Sequence, residues 1–179
     1  MMIKRLQSFD HRVFVWCNQT ISNRAFDRLF GGITHLGGAT FTILSALLIA
    51  WAAFEAWDIT AYQSAIALTV SHLIVVLIKR IVRRDRPFRV LEQVKIGNFP
   101  LKDYSFPSGH TTAIFAVITP LLFLASPLPT ILLIILAVLV GLSRIYWGYH
   151  YPTDCLAGSL IGFGSGWLVV YLMHVLGNT

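Results

Sequence analysis

Charge is scarce in this sequence. Only 12% of its 179 residues are Asp, Glu, Lys or Arg, while 56% are hydrophobic, against about 25% charged in an ordinary soluble domain. The shortage excludes a water-soluble fold of this size and predicts a membrane protein. Cysteine is equally scarce. Cys17 and Cys155 lie far apart and outside any CxxC or Cys/His spacing, which excludes a disulfide scaffold and predicts two buried or interfacial thiols. Seven Pro and 13 Gly, without a period, exclude a collagen-like or low-complexity chain. Acidic residues are few too: 8 Asp+Glu face 14 Lys+Arg, and the net charge of +6 in so apolar a chain favours an anionic lipid surface or substrate over nucleic acid. Among the first 30 residues no short apolar core precedes a small-residue cleavage site, so a cleaved signal peptide is not expected.

What is present is a set of long charge-free windows. A bilayer core about 30 Å thick needs about 20 apolar residues in a helix. Residues 36–54 carry no charge, and 59–78 contain only His72 as an ionisable group. The run 111–143 is too long for one helix, and Ser126-Pro127-Leu128-Pro129 breaks it into two. Residues 155–179 form a fifth, with turns expected near 55–58 and 126–129. In the first 30 residues Ile3, Leu6, Phe9, Val13, Trp16 and Cys17 recur at helical spacing between charges, which predicts an amphipathic helix on the membrane surface. A spanning helix starting near Phe26 is the alternative there. The expected fold is therefore an all-α, polytopic transmembrane bundle of five to six membrane helices. Its organisation is an amphipathic interfacial segment at 1–30 and a catalytic domain at 31–179. The polar stretch 79–106 is too long and too basic for a mere connection.

Three short strings sit at helix ends that the number of crossings brings to one membrane face. They are Lys79 with Arg86-Pro87, then Pro107-Ser108-Gly109-His110, then Ser143-Arg144 with His150 and Asp154. Lys and Arg suit the equatorial oxygens of a phosphoryl group, Arg in bidentate fashion. Ser108 is an N-cap in form, and the free backbone N–H groups of Gly109 and His110 at a positive helix end suit an anion. Two imidazoles allow one to attack phosphorus and the other to protonate the departing oxygen. Asp154, in the first turn of the last helix, is placed to hold the second nitrogen of His150. We therefore assign His150 as nucleophile and His110 as general acid, with the reverse as the alternative. No cluster of carboxylates or thiols offers a metal cage, so no metal or cofactor is expected.

These strings resemble the signatures of the type 2 phosphatidic acid phosphatase superfamily, which includes bacterial phosphatidylglycerophosphate and undecaprenyl pyrophosphate phosphatases, glucose-6-phosphatase and the vanadium haloperoxidases. The resemblance runs from Lys79 to Asp154. It implies a metal-independent membrane lipid phosphatase with a phosphohistidine at His150, His110 as acid and Asp154 supporting His150. It also implies phosphate held by Lys79, Arg86, Ser108, Gly109 and Arg144, with Ser143 in support or in direct contact. The family's six-helix core is here matched with the amphipathic segment in place of its first helix. The expected substrate is phosphatidylglycerophosphate or phosphatidic acid, with undecaprenyl pyrophosphate, or transfer to an acceptor other than water, as alternatives. An anion transporter would need polar groups threading the helices, and only His72 and a few hydroxyls do so.

The remaining polar residues take plainer expectations. Arg80, Arg83 and Arg84 read as a membrane-flanking basic cluster on lipid headgroups. His72 reads as a neutral, hydrogen-bonded packing residue; His11, His35 and His174 read as interfacial or structural. Tyr146, Trp147, Tyr149 and Tyr151 read as an interfacial aromatic belt, with framing of a lipid tail as the alternative. Asp103 and Tyr104 fit either headgroup contact or loop polarity. The 14 Lys and Arg all fall on the N-terminal segment, the 79–106 stretch or Arg144, which by the positive-inside rule puts the catalytic face in the cytoplasm. The family resemblance implies the outer or lumenal face.

Overall fold

The computed structural model describes residues 2–52, 58–97 and 101–177, and among these every regular element is helical. The turn expected near 55–58 falls largely on residues 53–57, outside the described residues. Helix α1 (Met2–Val15) runs through a π-helical turn (Trp16–Thr20) to α2 (Arg24–Ile33), a 3₁₀ turn (Thr34–Gly37) and α3 (Ala39–Ala52). Then come α4 (Asp58–Val82), short α5 (Pro87–Val90), α6 (Gly109–Leu122), α7 (Pro127–Tyr146) and α8 (Pro152–Gly177). By length and apolarity α4, α7 and α8 can each cross a membrane, and α2 with α3 makes a fourth crossing if that pair, bent by 58°, is one broken span. At 14 residues α6 is shorter, about 21 Å at 1.5 Å per residue. It need not span alone, because α4, α7 and α8 pack around it.

The bundle is inverted relative to a soluble protein. Leu47, Leu48 and Trp51 of α3, Leu128 and Leu132 of α7, and Leu156 and Leu160 of α8 point outward, where lipid is as good a solvent as a protein core. The inside is instead made of small and hydroxyl residues. Ala67, Ala116 and Ala137 are buried, as are Ser64, Thr112 and Thr119, and Ser64 donates to the Val117 carbonyl at 3.0 Å. Close helix approach replaces hydrophobic burial as the organising force. Gly158, Gly162 and Gly166 put a bare stripe of α8 against α6, and a Cβ on Gly162 would lie 2.3 Å from the Thr112 carbonyl oxygen.

The uninterrupted helix expected over 36–54 is corrected: it starts at Ala39, and the chain before it turns sharply. Gly37 allows this, since a Cβ there would meet Val140 Cγ1 at 2.6 Å and the His110 carbonyl oxygen at 2.8 Å. The break thus lies against the start of α6. On α1 and the π-helical turn after it, Leu6, Phe9 and Trp16 are exposed, as an interfacial helix requires, but Asp10, Phe14 and Cys17 on another face are buried. Phe14 and Cys17 pack with Ile145, Tyr151 and Cys155, so α1 is docked on the bundle where α7 ends and α8 begins.

Candidate active site

The C-terminal ends of α4 and α7 and the N-terminal ends of α6 and α8 converge, and the three strings converge with them. Arg86, at the N-cap of α5, is 0% exposed. It donates from Nε to the Asp103 carbonyl at 2.9 Å and from Nη1 to the Tyr149 carbonyl at 2.8 Å. From Nη2 it reaches Asp103 Oδ1 at 2.7 Å, and its Nη1 lies 3.2 Å from His150 Nε2. Arginine has no acceptor, so His150 Nε2 must take this bond on its lone pair and the ring proton must sit on Nδ1. Nδ1 faces Asp154 Oδ2 at 3.6 Å and Ser105 Oγ at 3.5 Å. Attack on phosphorus requires this tautomer. Burial holds His150 down to about 3; the Asp154 bond opposes that shift and the Arg86 charge reinforces it, so the imidazole is neutral at pH 7.

Asp154 is 0% exposed and fully engaged. Its Oδ2 accepts from the Tyr151 backbone N–H at 2.8 Å and from the Ser105 hydroxyl, and its Oδ1 accepts from Arg84 at 2.7 Å. Arg84 also reaches Asp10 at 2.7 Å and Thr153 at 2.8 Å, and its guanidinium lies 4.0 Å from the Tyr151 ring centroid. The expectation that Arg84 belongs to a headgroup cluster is therefore corrected: it is the counter-ion of the His150–Asp154 pair. Arg84 is partly exposed and Asp154 fully buried, so the pair falls between an exposed one, worth about 0–1 kcal/mol, and a fully buried one, whose breaking costs about 3–5 kcal/mol. By that measure the exposed Arg89–Asp85 contact at 3.9 Å is negligible beside it.

On α6, the Ser108 hydroxyl caps the helix, accepting from the Thr111 backbone N–H at 3.5 Å and the Thr111 hydroxyl at 2.9 Å, while its own N–H donates to the Asp154 carbonyl at 3.0 Å. A Cβ added at Gly109 would meet nothing within 4 Å, which leaves room for a ligand over the helix N-terminus. Lys79, Arg86, Gly109, His110 and His150 together line a cavity of about 530 Å³. His110 also lines a smaller chamber of about 190 Å³ with Arg144, Tyr149 and Trp147. Arg144 donates to Thr34 Oγ1 at 2.6 Å and stacks 4.3 Å from the Tyr149 ring centroid. Its Nε and the Trp147 indole N–H are buried without a hydrogen-bond partner among the described residues. Ser143 turns away, its hydroxyl donating to the Val140 carbonyl at 2.6 Å, which is a supporting position and not a direct one.

Two more expectations change. Tyr146, Tyr149 and Tyr151 are buried, not a surface belt, because they carry cations on their faces: Lys95 on Tyr146, Arg144 on Tyr149 and Arg84 on Tyr151. Asp103 is no ordinary loop residue either. Its carboxylate bridges Lys79 and Arg86. Burial would raise its pKa, but hydrogen bonds and charge from those two cations bring it down to about 2. Asp103 thus puts an anion on the two cations expected to hold phosphate. Among the described residues no three His, Cys, Asp or Glu side chains converge as a metal site.

Comparison with known proteins identifies the family. The model of the PAP2 superfamily matches residues 60–177. The undecaprenyl-diphosphatase of Sulfolobus acidocaldarius is 34% identical over 111 residues, 60% of this chain and 54% of that protein, so the match spans about half its length. Phosphatidylglycerophosphatase B of Bacillus subtilis is 31% identical over 156 residues, 79% of this chain and 70% of that protein. Among solved structures, LpxE of Aquifex aeolicus superposes with a TM-score of 0.81 at 27% identity, covering 89% of this chain and 93% of that one. The PAP2-type phosphatidylglycerolphosphate phosphatase of Bacillus subtilis gives 0.80 at 26% identity, covering 95% and 87%. A family match over most of the chain, falling on the helices that carry the three strings, places this multi-pass membrane protein in the PAP2 superfamily.

Proposed function

We propose that the protein is a lipid phosphate phosphatase that hydrolyses the terminal phosphate of phosphatidylglycerophosphate or phosphatidic acid without a metal ion. The observation that carries this reading is the meeting of Lys79, Arg86, Gly109, His110 and His150 on one cavity whose remaining wall is mostly apolar. Residues 31–179 form the catalytic domain, and segment 1–30 is the interfacial element docked on it. The phosphate sits on Lys79, Arg86, Arg144 and the backbone N–H groups following Ser108. Burial and the charges of Arg144, Lys79 and Arg86 hold His110 neutral in the empty site; a bound phosphate offsets those cations, so His110 takes up a proton together with the substrate. His150 Nε2 attacks phosphorus, the bond to the lipid oxygen breaks, and His110 gives that oxygen the proton. Asp154 steadies the Nδ1 proton as positive charge grows on the ring. Water then attacks the phosphohistidine, its proton passes to His110, the N–P bond breaks, and inorganic phosphate leaves. Transfer to an alcohol in place of water would use the same intermediate, and product analysis separates the two.

Undecaprenyl pyrophosphate is the second reading, favoured by the name of the Sulfolobus relative. Phosphate release from purified protein, tested on all three lipids with a chelator present, decides between the substrates. Release from at least one lipid, unchanged by the chelator, is expected; release from none, or its loss on chelation, would contradict the proposal.

Asp103 occupies the clamp until substrate displaces it. Asp103→Asn is therefore expected to tighten binding of vanadate, a phosphate mimic, by about tenfold. The change removes a charge contact of order 4 kcal/mol at an effective dielectric constant of ~20, part of which is lost to water. Calorimetric titration reads this directly, and weaker binding would show that Asp103 supports the clamp instead of competing for it.

A further inference from the structure

The large cavity continues past the cations. Below Lys79 its wall is built from α3, α4 and α6, with Ile43, Leu68, Leu73, Val76 and Ala113 among the lining residues. Ile43 and Leu73 are also exposed on the outside of the bundle, so the cavity is open sideways, where a lipid would enter. On α4 the lining positions Leu68, His72, Val75 and Lys79 recur at three- and four-residue steps, which is one helix face. His72 therefore lies two turns beneath Lys79, about 10 Å along the axis.

His72 is the odd residue on that wall. Two hydroxyls share the lining, and both are turned to backbone: Thr42 donates to the Gly38 carbonyl at 3.0 Å and Thr69 to the Ala65 carbonyl at 2.9 Å, and neither is paired with the imidazole. The sequence predicts a hydrogen-bonded packing role for His72, yet the imidazole has no hydrogen bond or ion pair within the described residues, and it faces the cavity. A neutral imidazole always keeps one N–H donor, whichever tautomer it adopts. A donor left unsatisfied at membrane depth is costly, so a ligand acceptor at that height gains what the bare cavity lacks. Lipid phosphates differ at this height. In a diacylglycerol phosphate the ester carbonyls follow the phosphate within a few bonds, ahead of the hydrocarbon. In a polyprenyl phosphate hydrocarbon begins at once.

We propose that His72 is a specificity-determining residue that donates a hydrogen bond to an acyl-ester carbonyl of the bound lipid and so selects glycerolipid phosphates over polyprenyl ones. This rests on the phosphatase reading above and narrows its substrate class. The test compares kcat/KM for a diacyl lipid phosphate (phosphatidylglycerophosphate or phosphatidic acid, whichever is turned over faster), its dialkyl ether analogue and undecaprenyl pyrophosphate, in wild type, His72→Leu and His72→Gln. Wild type is expected to favour the ester over the ether lipid by about three- to tenfold, the scale of one hydrogen bond. His72→Leu removes that preference by lowering the ester rate alone, and His72→Gln, which keeps a donor, retains most of it. Continued turnover of the ether lipid shows that each variant is folded.

An equal effect on all three lipids, no effect on any, or a wild type indifferent to ester against ether overturns the role of His72. Turnover of the polyprenyl lipid alone overturns it too, while leaving the phosphatase reading intact. A wild type that releases phosphate from none of these lipids, both diacyl lipid phosphates included, overturns both.

Discussion

His150→Ala is expected to abolish phosphate release, by about four orders of magnitude or more, because the substitution removes the atom that forms the bond to phosphorus and no neighbour can replace it. His110 lines the same cavity but is the proposed acid, and Arg86 and Lys79 are cations. The anion clamp should survive, since Lys79, Arg86 and Asp103 bond to one another without the imidazole. The variant is therefore expected to bind vanadate while turning over nothing, a combination that misfolding would not give. The pH profile carries the same assignment. With His150 held down to about 3, the nucleophile is neutral through the usual working range, and the limb due to its protonation appears only as pH falls toward 3. A loss of activity near pH 6.5 assigned to His150 would mean that the imidazole is not desolvated as the structure has it.

Arg86→Lys is expected to cost about 10²- to 10³-fold in kcat, the scale of losing one aligned donor at a developing anion. An ammonium keeps the charge but cannot reproduce the fork. Arg86 spans the Asp103 and Tyr149 carbonyls, the Asp103 carboxylate and His150 at once, from a fully buried position. A lysine reaches at most part of that set, and each buried carbonyl left without a donor costs about 1–3 kcal/mol. The variant should accordingly be less thermostable as well as slow. Measuring kcat well below its melting temperature separates the two effects, and near-normal turnover there would remove Arg86 from the phosphate site.

Much of this arrangement was legible in the sequence because it is local. Charge-free windows mark the helices, and residues bound to helix ends, such as Ser108 before Gly109 or Asp154 behind Pro152, follow from capping and first-turn rules. Contacts between distant segments leave no such spacing. Arg84 is two residues from Arg86 and looks like any juxtamembrane cation; only the docking of α1, which brings Asp10 to it across 74 positions, makes it part of the site. A signal was present nonetheless. Asp10, Phe14 and Cys17 fall on one helical face, and a carboxylate on a face otherwise apolar calls for a partner. Asp103 reads in the sequence only as headgroup contact or loop polarity, because the two cations it bridges come from the end of α4 and the N-cap of α5. The tyrosines deceived because the same ring that anchors at a lipid interface also stacks on a buried guanidinium. The short α6 and the bend at Gly37 have a common cause: both follow from how closely helices approach one another, which hydropathy does not encode.

The claim on which the rest depends is that side chains from four helix ends grip a phosphate while His150 becomes bonded to it. Rapid quenching of enzyme with a lipid carrying a labelled terminal phosphate, at neutral to alkaline pH where a phosphohistidine persists, tests it directly. The account expects label on the peptide containing His150, at up to one per chain, appearing before free phosphate and absent from His150→Ala. Label on another residue, or full turnover with no labelled protein at any time, would contradict it.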